Sequence, residues 1–471
     1  MELHKLTAVQ AKEALDGGRM SCAEYARALI ERCHQAAGLN ALITFDEEAF
    51  LRRMAQPALG PLHGLPLIIK DNINAAGFPT TGNTPTLVDY RPEQSNPVVQ
   101  ALVDAGAVVM AKANLHELAM GPGIGRPPPG EEMRYGQFGP VLNPHNTNVT
   151  AGGSSSGTGA AIAAGLAPLG LGTDTGGSVK KPASFCGITG FRPSAGLYSQ
   201  NGVIPISPSR DTIGPMARSA ADLALMHSCI TGQVSAPRTS GIKGLRLGLL
   251  RDFYFSGMDA QVSAVMEAEL TRLAGLGAEL IELDIAGLDG LMDRPRRAIA
   301  MYESEASLMR FLAQTGTGVG LEELIDGTRT TGLRDYLLSA TGGGNISEED
   351  YRAAVDQDCP AIRTALAALF NTHRLDALAA PSSLVPPKDR EEDFTIQRKG
   401  ETLRRFAAEG HNSGLSSIAG LPTISLPAGQ TNDGLPIGIS FDGPAGGDQS
   451  LLAIAQTYEA SRPAQPGPPD I

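Results

Sequence analysis

This sequence predicts an α/β protein, one large unit in which helices and strands alternate around a shared core. Three observations carry that expectation. Short apolar runs of strand length alternate with helical patterns that begin at capping residues and end at glycine. The 56 glycines and 33 prolines in 471 residues fall largely between those patterns. No long polar linker divides the chain, so although its length exceeds the usual limit of one simple core, residues 1–471 read as a single elaborated domain rather than a string of small ones.

The elements follow in order. Thr7 with Gln10, and Ser21 with Glu24, each place a capping residue three positions before its reciprocal partner, which predicts two helices ending near Gly17–Gly18 and Gly38. Residues 1–60 therefore form an N-terminal helical part. Leu67–Ile69 follows Pro66 as a short apolar run, read as a buried strand that the proline opens and that delivers Lys70 at its C-terminal end. Asn96–Ala105 reads as helix and Ala107–Ala111 as strand, with Gly106 between them. From Met120 to Pro140 the chain is too rich in Gly and Pro for regular structure and is expected to be a pocket wall or lid. Residues 61–230 are taken as the core. Residues 231–375 read as a helix-rich peripheral part, opening on the strand-like run LRLGLL and the helical stretch Ala260–Ala274. Residues 376–471 return to the core sheet, and within them the charged stretch KDREEDFTIQRKGETLRR reads as a solvated loop or helix face.

Composition removes several classes of function. With 38 basic against 50 acidic residues and a net charge of −12, the chain is a poor match for nucleic acid or an anionic membrane, which demand clustered cations. The expected partner is a small molecule, the expected state a monomer or homodimer. Cys22, Cys33, Cys186, Cys229 and Cys359 are odd in number and lack C-x-x-C spacing, which argues for a reducing cytoplasm without a disulfide framework. The opening MELHKLTAVQAKEALDGG has no secretory pattern, and the longest apolar run, near Ala160–Leu171, is too short and too interrupted to span a bilayer. None of the eight histidines stands in H-x-x-x-H or H-x-H spacing, so neither a metal nor a cofactor is expected.

The chemistry concentrates in two Gly/Ser clusters, Gly152–Gly157 and Gly176–Ser178, and in Lys70. A serine needs a base before it can attack a carbonyl, and this segment contains no histidine. Lys70 alone reads equally as an ion-pair partner of Asp71, but buried beside hydroxyls its amine would lose hydration and become a base. In TDTGGS the successive N–H groups of Thr175, Gly176, Gly177 and Ser178 can converge as an oxyanion hole, with Ser178 attacking from within it. The first cluster reads as a helix cap, an anion site, or a nucleophile elbow centred on Ser155, since Gly153–Gly157 satisfies G-x-S-x-G. The elbow lacks its context, because the preceding NPHNTNVTA is loop-like, His227 lies in a helical pattern, and His373 and His411 have no evident acidic partner. Gly172–Gly177 has P-loop spacing but carries Ser178 where the lysine belongs.

The runs GGSSSG and LGTDTGGSVKKPASFCGITGFRPS, with HGLPLIIKDNI upstream, resemble the amidase signature family, and weaker similarity extends over most of the chain. The resemblance implies a large mixed sheet covered by helices on both faces, an α/β/α sandwich. It also implies a Ser–cis-Ser–Lys triad, with Lys70 as base, Ser154 in a cis peptide as proton relay, and Ser178 as nucleophile. By the same resemblance Ala119 and Gly121 border the scissile carbonyl, and Ile124, Tyr135 and Phe138 are candidates for the pocket lining. Two departures stand out: Ser156 where the family has glycine, and Lys180 where it has arginine. The latter places in doubt any grip on a substrate carboxylate. SRDTIGPMARSAADLAL and NSGLSSIAGLPTISLPAG look most like hydrolases of aryl or arylalkyl amides. The alternatives are a carbamate or ester hydrolase using the same triad, and the amidase subunit of a transfer-RNA-dependent amidotransferase.

Overall fold

The computed structural model describes residues 2–121, 133–342, 346–463 and 467–469. Its centre is a mixed sheet of eleven strands. In spatial order these are Leu42–Phe45, Val108–Ala113, Pro66–Lys70, Leu169–Asp174, Thr212–Ala217, Thr189–Arg192, Thr423–Gln430, Pro436–Asp442, Ala377–Pro381, Arg246–Leu250 and Glu279–Leu283. Val108–Ala113, Pro66–Lys70 and Leu169–Asp174 run parallel, the middle of the sheet is antiparallel, and the far edge is parallel again. The Pro66–Lys70 strand is buried along its whole length, as a continuous apolar run covered on both faces must be.

Both capping boxes form, at Thr7 for the helix Ala8–Asp16 and at Ser21 for Cys22–Gln35. The helix Ser156–Ala163 packs on the strands Pro66–Lys70 and Leu169–Asp174. Its sequence SGTGAAIA is buried at every position because it has almost no side chain to keep it away. A Cβ on Gly157 would lie 2.2 Å from the Asn114 carbonyl oxygen, and one on Gly170 would lie 2.6 Å from Thr158 Cγ2. Here glycine is required by proximity, and the reward is a helix N-terminus pressed onto the strand ends.

Two segments differ from their sequence-based expectations. The charged stretch before Arg405 is a β-hairpin, Thr395–Arg398 against Glu401–Arg404, turning at Lys399 (φ 49°) and Gly400 (φ 83°). Positive φ at both central residues suits a two-residue hairpin turn. Charge hid the alternation that brings Ile396 opposite Leu403. NPHNTNVTA likewise contains a short strand, Asn146–Thr150, which pairs with Leu142–Asn143 outside the main sheet.

The 231–375 part contributes the edge strands Arg246–Leu250 and Glu279–Leu283 as well as helices, among them the 28-residue Leu288–Thr315. A second hydrophobic cluster forms where Leu308, Phe311 and Leu312 of that helix meet Leu87, Leu118 and Met120 of the core. No helix among the described residues is long and apolar enough to cross a membrane.

Candidate active site

Lys70 leaves the C-terminal end of its strand fully buried, and the parallel neighbour Leu169–Asp174 brings Thr173 and Asp174 to the same edge. Lys70 Nζ lies 2.7 Å from Ser154 Oγ and 2.7 Å from Thr173 Oγ1, which also accepts from Asn72 Nδ2 at 3.1 Å. The ion pair with Asp71 does not form, because Asp71 instead faces Lys112 at 3.1 Å. Burial strips the Lys70 amine of water and pushes its pKa down to about 7, with Asp174 and Asp211 opposing the shift only in part. The amine is therefore available as a base near neutrality.

Ser154 follows a cis peptide bond from Gly153 and is almost fully buried. Ser155 is turned the other way: its hydroxyl donates to the Thr173 carbonyl and accepts the Thr173 N–H, each at 3.2 Å, so the elbow reading has no nucleophile to offer. The Ser155 N–H donates to the Ser178 carbonyl at 3.2 Å, tying the two Gly/Ser clusters together.

Asp174 shapes the second cluster. Its carboxylate accepts the N–H groups of Gly177 and Val179, both at 2.8 Å, and pairs with Arg192 at 2.9 Å. Burial alone would raise its pKa, but Arg192, the two N–H donors and Lys180 outweigh it and hold the group ionised. The expected oxyanion array loses one member here, because the Gly177 N–H is committed to Asp174. Gly177 is needed for another reason, since it has φ 106° and a Cβ there would lie 2.4 Å from Ser413 Oγ. Thr175 is held from its side chain, donating to Asp211 at 2.5 Å.

Ser154, Thr175, Gly176 and Ser178 line one cavity of about 420 Å³, together with Ala119 and Gly121. Ile124 lies outside the described residues. Tyr135 and Phe138 do not line the cavity. The Tyr135 hydroxyl turns to the Arg390 carbonyl (3.4 Å) and Glu391 (3.3 Å), and the backbone of Phe138 is tied to Asn83 and Asn40. Lys180 also faces away, toward Ser416 Oγ at 3.1 Å and Asp442 at 3.6 Å, so its replacement of arginine alters the core and not the cavity. Ser156 Oγ is buried without a partner among the described residues.

Sequence reasoning missed Thr173, Asn72 and Asp174, although Asn72 stands two positions beyond Lys70 and Asp174 directly precedes TGGS. It also missed His116, Lys181, Arg210 and Tyr336, which line the cavity, and Leu403 and Phe406 from the hairpin and the helix Arg405–Gly410 that follows it.

A mixed sheet with a buried lysine set against a serine from a Gly/Ser loop defines a class of hydrolase, and the comparisons identify it. Residues 24–452 match the Amidase family, and the chain belongs to that family as a hydrolase acting on carbon–nitrogen bonds. It is 35% identical to indoleacetamide hydrolase of Agrobacterium vitis over 96% of both chains. It is 34% identical to mandelamide hydrolase of Pseudomonas putida, covering 97% of this chain and 92% of that one. A solved peptide amidase bound to the inhibitor chymostatin superposes with a TM-score of 0.81 at 27% identity over 99% of both chains. The expected fold and family are thus both found.

Proposed function

We propose that the protein hydrolyses small aryl or arylalkyl amides through an acyl-enzyme on Ser178. The observation that carries this reading is the 2.7 Å contact between the buried, readily deprotonated Lys70 amine and Ser154 Oγ. Neutral Lys70 takes the Ser154 proton, Ser154 takes the Ser178 proton, and Ser178 Oγ bonds to the carbonyl carbon. The negative oxygen is held by the N–H groups of Thr175, Gly176 and Ser178. Collapse breaks the C–N bond while Ser154 returns a proton to the departing nitrogen. Water, deprotonated along the same path, then releases the acid.

The substrate class is supported by the similarity to the indoleacetamide and mandelamide hydrolases and by the apolar share of the cavity wall, Met120, Ile206, Leu403 and Phe406. The test is a panel of anilides, primary amides, esters and carbamates assayed with wild type and Ser178→Ala, alongside fluorophosphonate labelling. Aryl amide turnover with label on Ser178 is expected. Label on Ser155, or full activity in Ser178→Ala, would reject the mechanism, and turnover confined to carbamates would reject the substrate class.

A further inference from the structure

The Lys70–Ser154–Ser178 relay gives no task to His116, a polar group of the cavity wall. His116 lies just beyond the strand Val108–Ala113, and its backbone N–H donates to the Ser154 carbonyl at 3.1 Å. Its imidazole occupies a slot between two glycines. A Cβ on Gly153 would lie 2.0 Å from Cε1 and 2.4 Å from Nδ1, and a Cβ on Gly121 would lie 3.1 Å from Nδ1. Any larger residue at Gly153 would evict the ring. The ring lines the same cavity as Ser154 and Ser178, and neither of its nitrogens has a hydrogen-bond partner among the described residues.

The ring is also neutral. Burial, followed by the nearby cations Lys181, Lys70 and Arg405, holds its pKa well below the usual 6.5. A neutral imidazole offers one N–H donor and one bare acceptor nitrogen. That acceptor stands on the wall that carries Ser154, the group that must protonate the leaving nitrogen.

Amide cleavage sets an orientation requirement there that ester cleavage does not. In the tetrahedral intermediate the nitrogen lone pair must face its proton donor, so any N–H on that nitrogen must point elsewhere and find an acceptor. We propose that His116 accepts the N–H of the scissile amide and thereby turns the nitrogen lone pair toward Ser154 Oγ. The substrate N–H stays on nitrogen throughout. The Ser154 O–H bond breaks as a new N–H bond forms, the Lys70 ammonium returns its proton to Ser154, the oxyanion pair re-forms the C=O bond, and the C–N electron pair departs with the amine. The class of substrate favoured is an amide with at least one N–H, whether a primary amide or an anilide. This inference rests on the reading of Ser154 as relay.

The test compares an anilide with the phenyl ester of the same acid. His116→Phe keeps a ring between the glycines and removes the acceptor, whereas His116→Gln restores an acceptor. His116→Phe is expected to lower kcat/KM for the anilide by about tenfold or more, the effect of one lost hydrogen bond. The ester should change by less than about twofold, because it has no N–H for the acceptor to orient. His116→Gln should recover part of the anilide rate. Equal losses on anilide and ester, or no loss on either, would overturn the proposal by reducing His116 to packing. His116→Leu, smaller and also without an acceptor, repeats the comparison if the Phe variant does not fold. Failure of the underlying relay reads differently: ester turnover and Ser178 labelling would then survive Lys70→Met and Ser154→Ala unchanged.

Discussion

Lys70 shows how one position acquires chemistry from its surroundings. The side chain is ordinary, but its burial and the diversion of Asp71 to Lys112 leave it beside hydroxyls rather than a carboxylate. Since only the neutral amine can accept a proton, kcat/KM for an aryl amide should rise through a single limb near pH 7 and level off above it. A profile flat from pH 6 to 9 with chemistry rate-limiting would contradict this. Stability carries the same signature. Because the folded value of about 7 lies below the ordinary 10.5, the unfolded chain binds the extra proton more readily over that range. The contribution of Lys70 to stability is therefore smallest below about pH 7 and grows as pH rises toward 10.5. Lys70→Met should be inactive yet gain thermal stability over wild type most clearly at pH 6, as calorimetry would record.

The Gly/Ser loops are held from beneath by buried groups that do not line the cavity. Asp174 spans the Thr175–Val179 turn with two N–H acceptances and one ion pair, all fully buried. Asp174→Ala would leave Arg192 charged and unpaired inside the protein, so a loss of about 3–5 kcal/mol in denaturant unfolding is expected, together with collapse of kcat. Lys180 is the contrasting case in the adjoining helix Lys180–Phe185. Its partner Asp442 also accepts from the Tyr254 and Thr423 hydroxyls. Lys180→Met should therefore cost about 3 kcal/mol, the lower end for breaking a buried pair, while KM for a small amide stays within about twofold. A tenfold rise in KM with unchanged stability would return Lys180 to the substrate. The hairpin Thr395–Arg404 carries its charges in the sequence, but it becomes cavity wall, through Glu401 and Leu403, only by where it packs.

Across the whole molecule, the buried carboxylate of Glu117 helps tie the peripheral part, which lends Arg296 and Tyr336 to the cavity wall, to the core. Glu117 accepts the N–H groups of Arg329 (3.0 Å) and Thr330 (2.7 Å), joining the segment after Asp326 to the turn that carries Ala119 and Gly121. That turn holds Leu118 (φ 51°) and Ala119 (φ 60°) in the left-handed region, a conformation non-glycine residues keep only when packing enforces it. Glu117→Ala should raise KM severalfold and increase amide hydrogen exchange across 321–340 while the central sheet stays protected. Uniform loss of protection would instead mean that Glu117 supports the global fold. Helix caps, the Pro66–Lys70 strand and the two Gly/Ser clusters were all legible in the linear chain, because each depends on residue type at short spacing. What the chain could not reveal by itself was which N–H of the TDTGGS loop is already spent on Asp174, that Lys180 turns inward while Lys181 faces the cavity, and that His116 sits between Gly121 and Gly153. Those outcomes depend on contacts between segments far apart in sequence, where a few ångströms of backbone placement decide which polar group meets substrate and which meets the core.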